Sequence, residues 1–324
     1  MSFAIVMHHS GAAEVLRFEP VELPDILPNE VRLSHTAIGV NFHDIYVRSG
    51  QYQTLSLPGI PGIEAVGVVQ KVGAKVKNVK CGDRVVYITR QYGAYAEERN
   101  IAADILVRLP DDINDVTASS IFLKGLTAQV LLHQVHRVKQ GDWILVHAAA
   151  GAVGSLLCQW AHHLGAKVIG TVGSDAKRVW AEAAGCNYVI NYRQQDFATA
   201  VHSITNGAGV QVAYDAVGKD TFTGSLNCLA PCGQLVNFGQ SSGTAPPVEM
   251  STLFKKSNAL SRPSVFQHLR TPELLQESAN CLFDAIRIGT LKIHGCLQFQ
   301  LCDAALAHQE LENRERTKPI ILIP

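Results

Sequence analysis

The sequence predicts an α/β protein of two domains: a doubly wound parallel sheet in the middle of the chain and a mostly β domain assembled from its two ends. Three observations carry this. Apolar strands alternate with helical stretches from Trp143 onward. The first ~120 residues break into short β-type runs between Gly and Pro punctuation. The tail beyond Pro263 is too short to stand as an α/β domain, so it is expected to pack back onto the N-terminal β region.

In the first region the β runs are Glu30–Ile38, Ala65–Lys71 and Arg84–Ile88. From Trp143 the strands read WILVHA, KVIGTV, YVINY, VQVAYDAV and QLVNFG. Between them lie helical stretches at VGSLLCQWAHHLG, near Ala176–Ala184, near Asp196–Thr205 and near Thr221–Leu229. Strands that are apolar almost throughout are buried on both faces, as in a parallel sheet covered by helices on each side. The tail reads as a helix in PELLQESANCLFDAIRIG, a strand in LKIHGCLQFQL, a helix in DAALAHQELENR and a last apolar run, PIILIP. We place the first domain at 1–124 and 265–324 and the second at 125–264, with a cleft expected between them. Internal repeats, low-complexity segments and long linkers are absent from the sequence.

Composition narrows the function classes. The 324 residues are 47% hydrophobic and 17% charged, with Lys+Arg and Asp+Glu balanced at 28 each. This is the profile of a soluble globular protein, and it lacks the basic excess of a nucleic-acid binder. The N-terminus has neither the basic start nor the apolar core of a secretory signal, and no run approaches the ~18 apolar residues of a membrane span, so a cytoplasmic protein without a membrane partner is expected. The eight cysteines are scattered through apparent helices and strands and are read as reduced, mostly packed thiols. Cys228 and Cys232 are the one close pair, spaced as helix neighbours without a second pair to complete a zinc site.

The strongest local motif is WILVHAAAGAVG, Trp143–Gly154, in which a strand enters a small-residue turn and then a helix. Ala149, Gly151 and Gly154 occupy the three positions of G-x-G-x-x-G. Gly151 would let a pyrophosphate approach the backbone, Gly154 would allow helix to pack closely on strand, and the helix N-terminus would offer N–H groups to the anion. Enzymes that use NAD place an acid against the ribose about 20 residues further on. Here the segment is KVIGTVGSDAKR, with Gly173 and Ser174 where the acid is expected and Lys177 and Arg178 after them, which favours a 2′-phosphate and hence NADPH. A second reading treats Lys177 and Arg178 as solvated charges on a helical turn, and Asp175 stands beside them.

With these motifs the chain resembles the medium-chain dehydrogenase/reductases, and within them the zeta-crystallin-like quinone oxidoreductases, especially those of bacteria. The resemblance runs through AIGVNFHDIYVRSGQY (Ala37–Tyr52), PGIEAVGVV (Pro61–Val69), GDRVVY (Gly82–Tyr87), FLKGLTA (Phe122–Ala128), HAAAGAVG (His147–Gly154), VINYR (Val189–Arg193), YDAVG (Tyr214–Gly218) and SRPS (Ser261–Ser264). It implies a GroES-like catalytic domain, a Rossmann domain, NADPH across the cleft and a homodimer joined near the last strands, around Asn258–Val265. Zinc-dependent relatives carry a cysteine at the position of Asn41 and a His-Glu pair at Ile63-Glu64, so no metal is expected.

The resemblance also implies site residues. Asn41, Tyr46 and Tyr52 would line the nicotinamide and substrate side, with His43 nearby. Gly125 and Thr127 would start the helix that crosses between domains. Ala150, Gly151 and Val153 would flank the pyrophosphate, while Gly173, Ser174, Lys177 and Tyr192 would surround the adenosine phosphate. Val217, Phe238, Gly239 and Ser241 would follow later strands, and Arg262 and Arg314 would be late cofactor contacts. Plainer readings stand beside these: Asn41 and Asp44 as turn or helix caps, the tyrosines as core aromatics, Phe238 as packing beneath the sheet, and Arg314 as a solvated charge.

The function implied is reduction of a small-molecule quinone or similar conjugated carbonyl by NADPH. An enoyl or alkenal reductase shares the fold and cofactor, and a non-catalytic RNA-binding or structural protein is the alternative outside enzymes.

Overall fold

The computed structural model describes residues 2–293, 295–313 and 317–324. The chain divides into one unit of Met1–Leu123, Arg270–Ala279 and Ile293–Pro324 and another of Lys124–Leu269 and Asn280–Lys292.

The strands begin with β1 (Ser2–Val6), β2 (Arg17–Val21), β3 (Glu30–Val40), β4 (Glu64–Val72), β5 (Arg84–Ile88), β6 (Glu98–Ala102) and β7 (Leu106–Arg108). The middle of the chain supplies β8 (Trp143–Val146), β9 (Lys167–Val172), β10 (Tyr188–Asn191), β11 (Val210–Asp215), β12 (Leu229–Asn237) and β13 (Ala259–Ser261). The end adds β14 (Leu297–Gln300) and β15 (Ile320–Ile323).

In the first unit β1 and β2 form an antiparallel pair, and a larger sheet runs β14-β15-β3-β4-β5-β7, with β6 also paired to β3. The tail therefore joins the N-terminal sheet directly, β15 lying antiparallel to β3. Along the first part of β3, Val31, Leu33, His35 and Ala37 are buried while Arg32, Ser34 and Thr36 between them are less so, the period of two expected of a strand with one face on a core, and from Ile38 on both faces are buried. The core beneath includes Ile5, Val69, Val85, Tyr87, Tyr95 and Leu322. His35 is buried with them; its Nδ1 bonds the Ala96 carbonyl at 2.6 Å and its Nε2 the Tyr87 hydroxyl at 3.0 Å, and burial lowers its pKa to about 3.

In the second unit, six strands among the described residues make a parallel sheet in the order β10-β9-β8-β11-β12-β13. The order reverses between β8 and β11, the switch point of a doubly wound sheet, where the carboxyl ends of the strands open a ligand crevice. Helices α3 (Ala152–His163), α4 (Arg178–Ala183), α5 (Phe197–Ile204) and α6 (Phe222–Asn227) connect the strands, while α1 (Phe42–Arg48) and α2 (Asp115–Val130) precede them. After them come α7 (Met250–Phe254), α8 (Val265–His268), α9 (Pro272–Arg287) and α10 (Ala304–Glu312). Among the described residues no helix is long and apolar enough to cross a membrane.

Two expectations need correction. Gly125 and Thr127 do not start a helix: α2 already begins at Asp115, where the Asn114 side chain accepts the Thr117 N–H at 2.7 Å, so both lie in its interior. There Gly125 serves packing, because a Cβ would overlap Leu282. Cys228 and Cys232 are not helix neighbours, since Cys228 ends α6 and Cys232 sits within β12 at φ 61.

Candidate functional site

The chain leaves β8 at Val146 and turns through Ala148, at φ 50, and Gly151, which caps α3. The Gly151 N–H bonds the Ala148 carbonyl at 2.8 Å, and the Ala149 N–H bonds Thr171 at 3.0 Å. The Ser155 N–H is the first in α3 to find a carbonyl behind it, that of Gly151 at 2.8 Å. The N–H groups of Ala152, Val153 and Gly154 come before that bond and are the donors a helix start offers to an anion. The first turn of α3 holds no acidic residue to oppose one. A Cβ on Gly154 would lie 2.9 Å from the Ala148 carbonyl carbon, with the oxygen closer still, so helix meets strand at backbone distance. Alanine fits the first motif position because Gly170 on β9 makes room: a Cβ there would come within 2.7 Å of the Ala149 Cβ.

Under this turn lies a buried polar network. The Ser225 hydroxyl donates to the Thr221 carbonyl at 2.8 Å and so accepts from His147 Nε2, also at 2.8 Å. The His147 Nδ1 is then the acceptor for the Thr171 hydroxyl at 2.9 Å. Burial lowers the His147 pKa, keeping the ring neutral in this arrangement. The network ties the end of β8 to β9 and α6.

At the end of β9, Gly173 faces Tyr192; a Cβ would stand 3.0 Å from the tyrosine hydroxyl. The Ser174 Oγ is buried without a partner among the described residues. The Asp175 carboxylate accepts from Asn191 at 3.0 Å and Gln194 at 2.7 Å, and these bonds lower its pKa. Lys177 closes the turn Asp175–Lys177. Arg178 donates to the Val189 carbonyl at 2.8 Å and so braces β10. The structure thus groups Gly173, Ser174, Lys177 and Tyr192 at one sheet edge.

The loops after β11 and β12 are laced together. Asp215 Oδ1 accepts the Val217 N–H at 2.8 Å, the Gly218 N–H at 3.0 Å and the Thr221 hydroxyl at 2.8 Å. The Phe238 N–H donates to the Asp215 carbonyl at 2.8 Å, and Ser241 and Ser242 donate to Ala216 and Val217 at 3.2 and 2.9 Å. Phe238 is half-buried, and Gly239 packs against Ala216 too closely for a Cβ. Arg262 donates to the Asn237 and Gln240 side chains, so it buttresses these loops. Arg314 lies outside the described residues.

The first unit contributes a second cluster. Asn41 follows β3 and caps α1, and its backbone N–H donates to Asp44 Oδ2 at 2.9 Å. Asp44 also accepts the Tyr95 hydroxyl at 3.0 Å, which meets His308 Nε2 at 3.0 Å. Burial holds His308 neutral, its pKa lowered to about 3. Above this anchor, Tyr46 and Tyr52 pack with ring centroids 5.0 Å apart, and His43 meets Tyr52 edge-on at 5.5 Å. His43 also stacks on Tyr92 at 5.9 Å and bonds its hydroxyl at 3.2 Å, and Thr54 bonds that same hydroxyl. Burial lowers the His43 pKa to about 4 and raises that of Tyr92, so both are neutral at pH 7. The Asn41 side chain donates through Nδ2 to Glu64 Oε2 at 2.9 Å.

With this geometry, two family models match: one described as alcohol dehydrogenase GroES-like domain over residues 27–111, and one described as zinc-binding dehydrogenase over residues 152–280. Quinone oxidoreductase 1 of Escherichia coli is 43% identical over 327 residues, covering 100% of both chains. The chain belongs to the quinone oxidoreductase family of medium-chain dehydrogenase/reductases. A 2-haloacrylate reductase of a Burkholderia species is 41% identical over 100% of this chain and 99% of its own. The solved structure of an Escherichia coli quinone oxidoreductase complexed with NADPH superposes with a TM-score of 0.96 at 43% identity, covering 99% of this chain and 100% of that one.

Although one family description names zinc, the described residues bring no zinc-type ligand set together. Among the described residues no group of three or more His, Cys, Asp and Glu could hold a metal ion. Asn41 and Ile63 are not ligands, and Glu64 is engaged by Asn41 and by the Leu123 N–H at 2.6 Å. Sequence reasoning missed the roles of Tyr92, Thr54, Glu64, His147 and Asp215. Tyr92 is remote in sequence from His43, and only its unusual place before Gly93, at φ 58, marks it out.

Proposed function

We propose that this chain binds NADPH along the carboxyl edge of the second unit's sheet and reduces a quinone or similar conjugated carbonyl, without a metal. One observation carries the reading. An anion-binding turn is followed, at the end of β9, by the buried and unpartnered Ser174 hydroxyl instead of a ribose-binding acid. The nearby Asp175 is already taken up by two side-chain amides, which lessens its opposition to a phosphate.

In this reading Ala150, Gly151 and Val153 flank the pyrophosphate, and the first N–H groups of α3 donate to it. Ser174, Lys177 and Tyr192 hold the 2′-phosphate, while Val217, Phe238, Gly239 and Ser241 border the rest of the ligand from the laced loops. When bound, the reduced nicotinamide supplies a hydride. Asn41 meets the reduced nicotinamide nucleotide, while Tyr46 and Tyr52 form the wall that orients a flat acceptor, stiffened by His43 and Tyr92. His43 and Tyr92 are neutral at pH 7 and serve position more than proton transfer. A quinone that has accepted hydride is a stabilised hydroquinone anion, so solvent can deliver the proton.

The test is NADPH oxidation against a panel of quinones, enals, 2-haloacrylates and enoyl thioesters, with quinones expected to turn over fastest. The 2-haloacrylate reductase relative favours a second reading, reduction of an activated carbon–carbon double bond. Turnover of the unsaturated acids without turnover of quinones would establish that reading over the first. We also propose a homodimer. Among the described residues β13 is the last strand of the parallel sheet, with Ala259 and Leu260 exposed, an edge suited to a second copy. Light scattering that finds monomer alone would remove it.

A further inference from the structure

We propose that Glu64 is a positioning residue that fixes the polarity of Asn41, so that Asn41 meets its ligand only as a hydrogen-bond acceptor. The proposal rests on the reading above that Asn41 faces the cofactor.

Glu64 is fully buried, and the fold has made space for it. A Cβ on Gly39 would overlap its carboxylate, coming within 2.7 Å of Cδ. Its two oxygens face two N–H donors on separate elements: Oε1 accepts from the Leu123 backbone in α2 at 2.6 Å, and Oε2 from the Asn41 amide at 2.9 Å. The Asn41 Nδ2 also points at the Gly39 carbonyl, 3.4 Å away. Both neighbours of that end of the amide are acceptors, so the NH₂ group must lie there and the side chain cannot be flipped. Oδ1, which the capping box at the start of α1 also turns to the Asp44 N–H, is what Asn41 has left to present, through its second lone pair.

An acceptor selects its partner. A ligand group that meets Asn41 must bring a hydroxyl or an amide N–H, which a reduced nicotinamide nucleotide carries on its ribose and carboxamide. The same polarity prevents Asn41 from steadying negative charge on a quinone oxygen, because that needs a donor. Asn41 therefore holds the cofactor side, and activation of the substrate carbonyl falls to other groups.

Glu64→Gln reverses the arrangement by a definite route. The Leu123 N–H can be accepted only by the carbonyl oxygen of the new amide, so its NH₂ turns toward Asn41. Asn41 must then rotate, accept that bond and present its own NH₂ outward. Adding Asn41→Asp restores an acceptor, since one aspartate oxygen takes the amide and the other faces the ligand, with one carboxylate in the pair as before.

NADPH binding is measured by fluorescence titration, beside quinone KM and kcat and a thermal melt of each variant. Glu64→Gln is expected to weaken NADPH binding about tenfold, the scale of one hydrogen bond lost and one donor misplaced. The double variant is expected to bind within about threefold of wild type. Wild-type affinity in a folded Glu64→Gln, or a double variant no better than Glu64→Gln, would overturn the inference. Should Glu64→Gln fail to fold, the double variant decides alone: near wild-type binding supports the inference, and binding as weak as that of Asn41→Ala overturns it. The underlying reading fails separately, when Asn41→Ala leaves both NADPH affinity and KM unchanged.

Discussion

The two glycines of the turn, three residues apart, should respond to the same substitution through different measurements. In Gly154→Ala the new methyl has nowhere to go: it would lie 2.9 Å from the Ala148 carbonyl carbon and 3.1 Å from the Ala149 Cα, all backbone. Helix α3 must then move off the strand. Overpacking costs about 1–3 kcal/mol, here about 2–3 because the clash is with backbone that cannot step aside, and the better helix propensity of alanine returns about 1 kcal/mol. A net loss of about 1–2 kcal/mol corresponds to a melting temperature lower by about 2–8 °C for a unit of this size class. In Gly151→Ala the methyl stands 3.0 Å from the Ala148 oxygen at φ −80, a conformation alanine accepts. The poorer N-cap is offset by lost entropy of the unfolded chain, so stability should change by less than about 0.5 kcal/mol. That methyl instead occupies the surface a pyrophosphate would approach, and NADPH should bind about ten- to a hundredfold more weakly. Ligand-free thermal melts and NADPH titrations of both variants are the assay. The reasoning is refuted if Gly154→Ala melts like wild type, or if Gly151→Ala binds NADPH normally.

Lys177→Ala should cost about 1.5–3 kcal/mol of NADPH binding and little of NADH binding; parallel titrations that find equal losses would mean Lys177 does not meet the 2′-phosphate. Tyr52→Phe should retain more than about one hundredth of wild-type kcat with a small quinone, because a positioning hydroxyl contributes less than the 10²–10⁴-fold of a general acid; a larger fall at unchanged KM would make Tyr52 the acid. Acidification should destabilise the fold through His35 and His308, whose pKa values burial lowers from 6.5 to about 3. Their contribution is complete above pH 6.5 and is lost as pH falls toward 3, so at pH 5 each removes about 2 kcal/mol. Denaturant titrations showing equal stability at pH 7 and pH 5 would contradict this.

The parallel sheet was legible because its strands are apolar on both faces and its helices are separated by turn residues; β8 through β11 fall where the apolar runs place them. Less could be read where tertiary contacts decide. The resemblance put a helix start at Gly125 and Thr127, which lie inside α2, where the small size of Gly125 answers Leu282. Cys228 and Cys232 have helical spacing, yet the chain passes from α6 into β12 between them. On the site side, the turn from β8 into α3 announced itself through contiguous residues. The His43–Tyr92 and Asn41–Glu64 pairs join segments distant in sequence, and no local pattern connects them. Gly39 carries the one trace of the Glu64 carboxylate, and it reads only as a small residue in a strand until the fold shows what fills the space.

The accommodation between Ala149 and Gly170 bears on how such a turn can change over time. One methyl's worth of room is shared by two neighbouring strands, and here the turn has taken it while β9 has given it up. Adding a second methyl at Gly170 while Ala149 remains would crowd both strands, and removing the one at Ala149 alone would leave a gap beneath the helix start. A methyl at Gly170 would also meet the Cys186 Sγ, 2.6 Å away, so exchange needs all three positions to move together, and the residue that begins a phosphate-binding motif is constrained by residues outside it. Substitutions transplanted from a relative with glycine at the first position would succeed or fail according to what that relative carries on the adjacent strand.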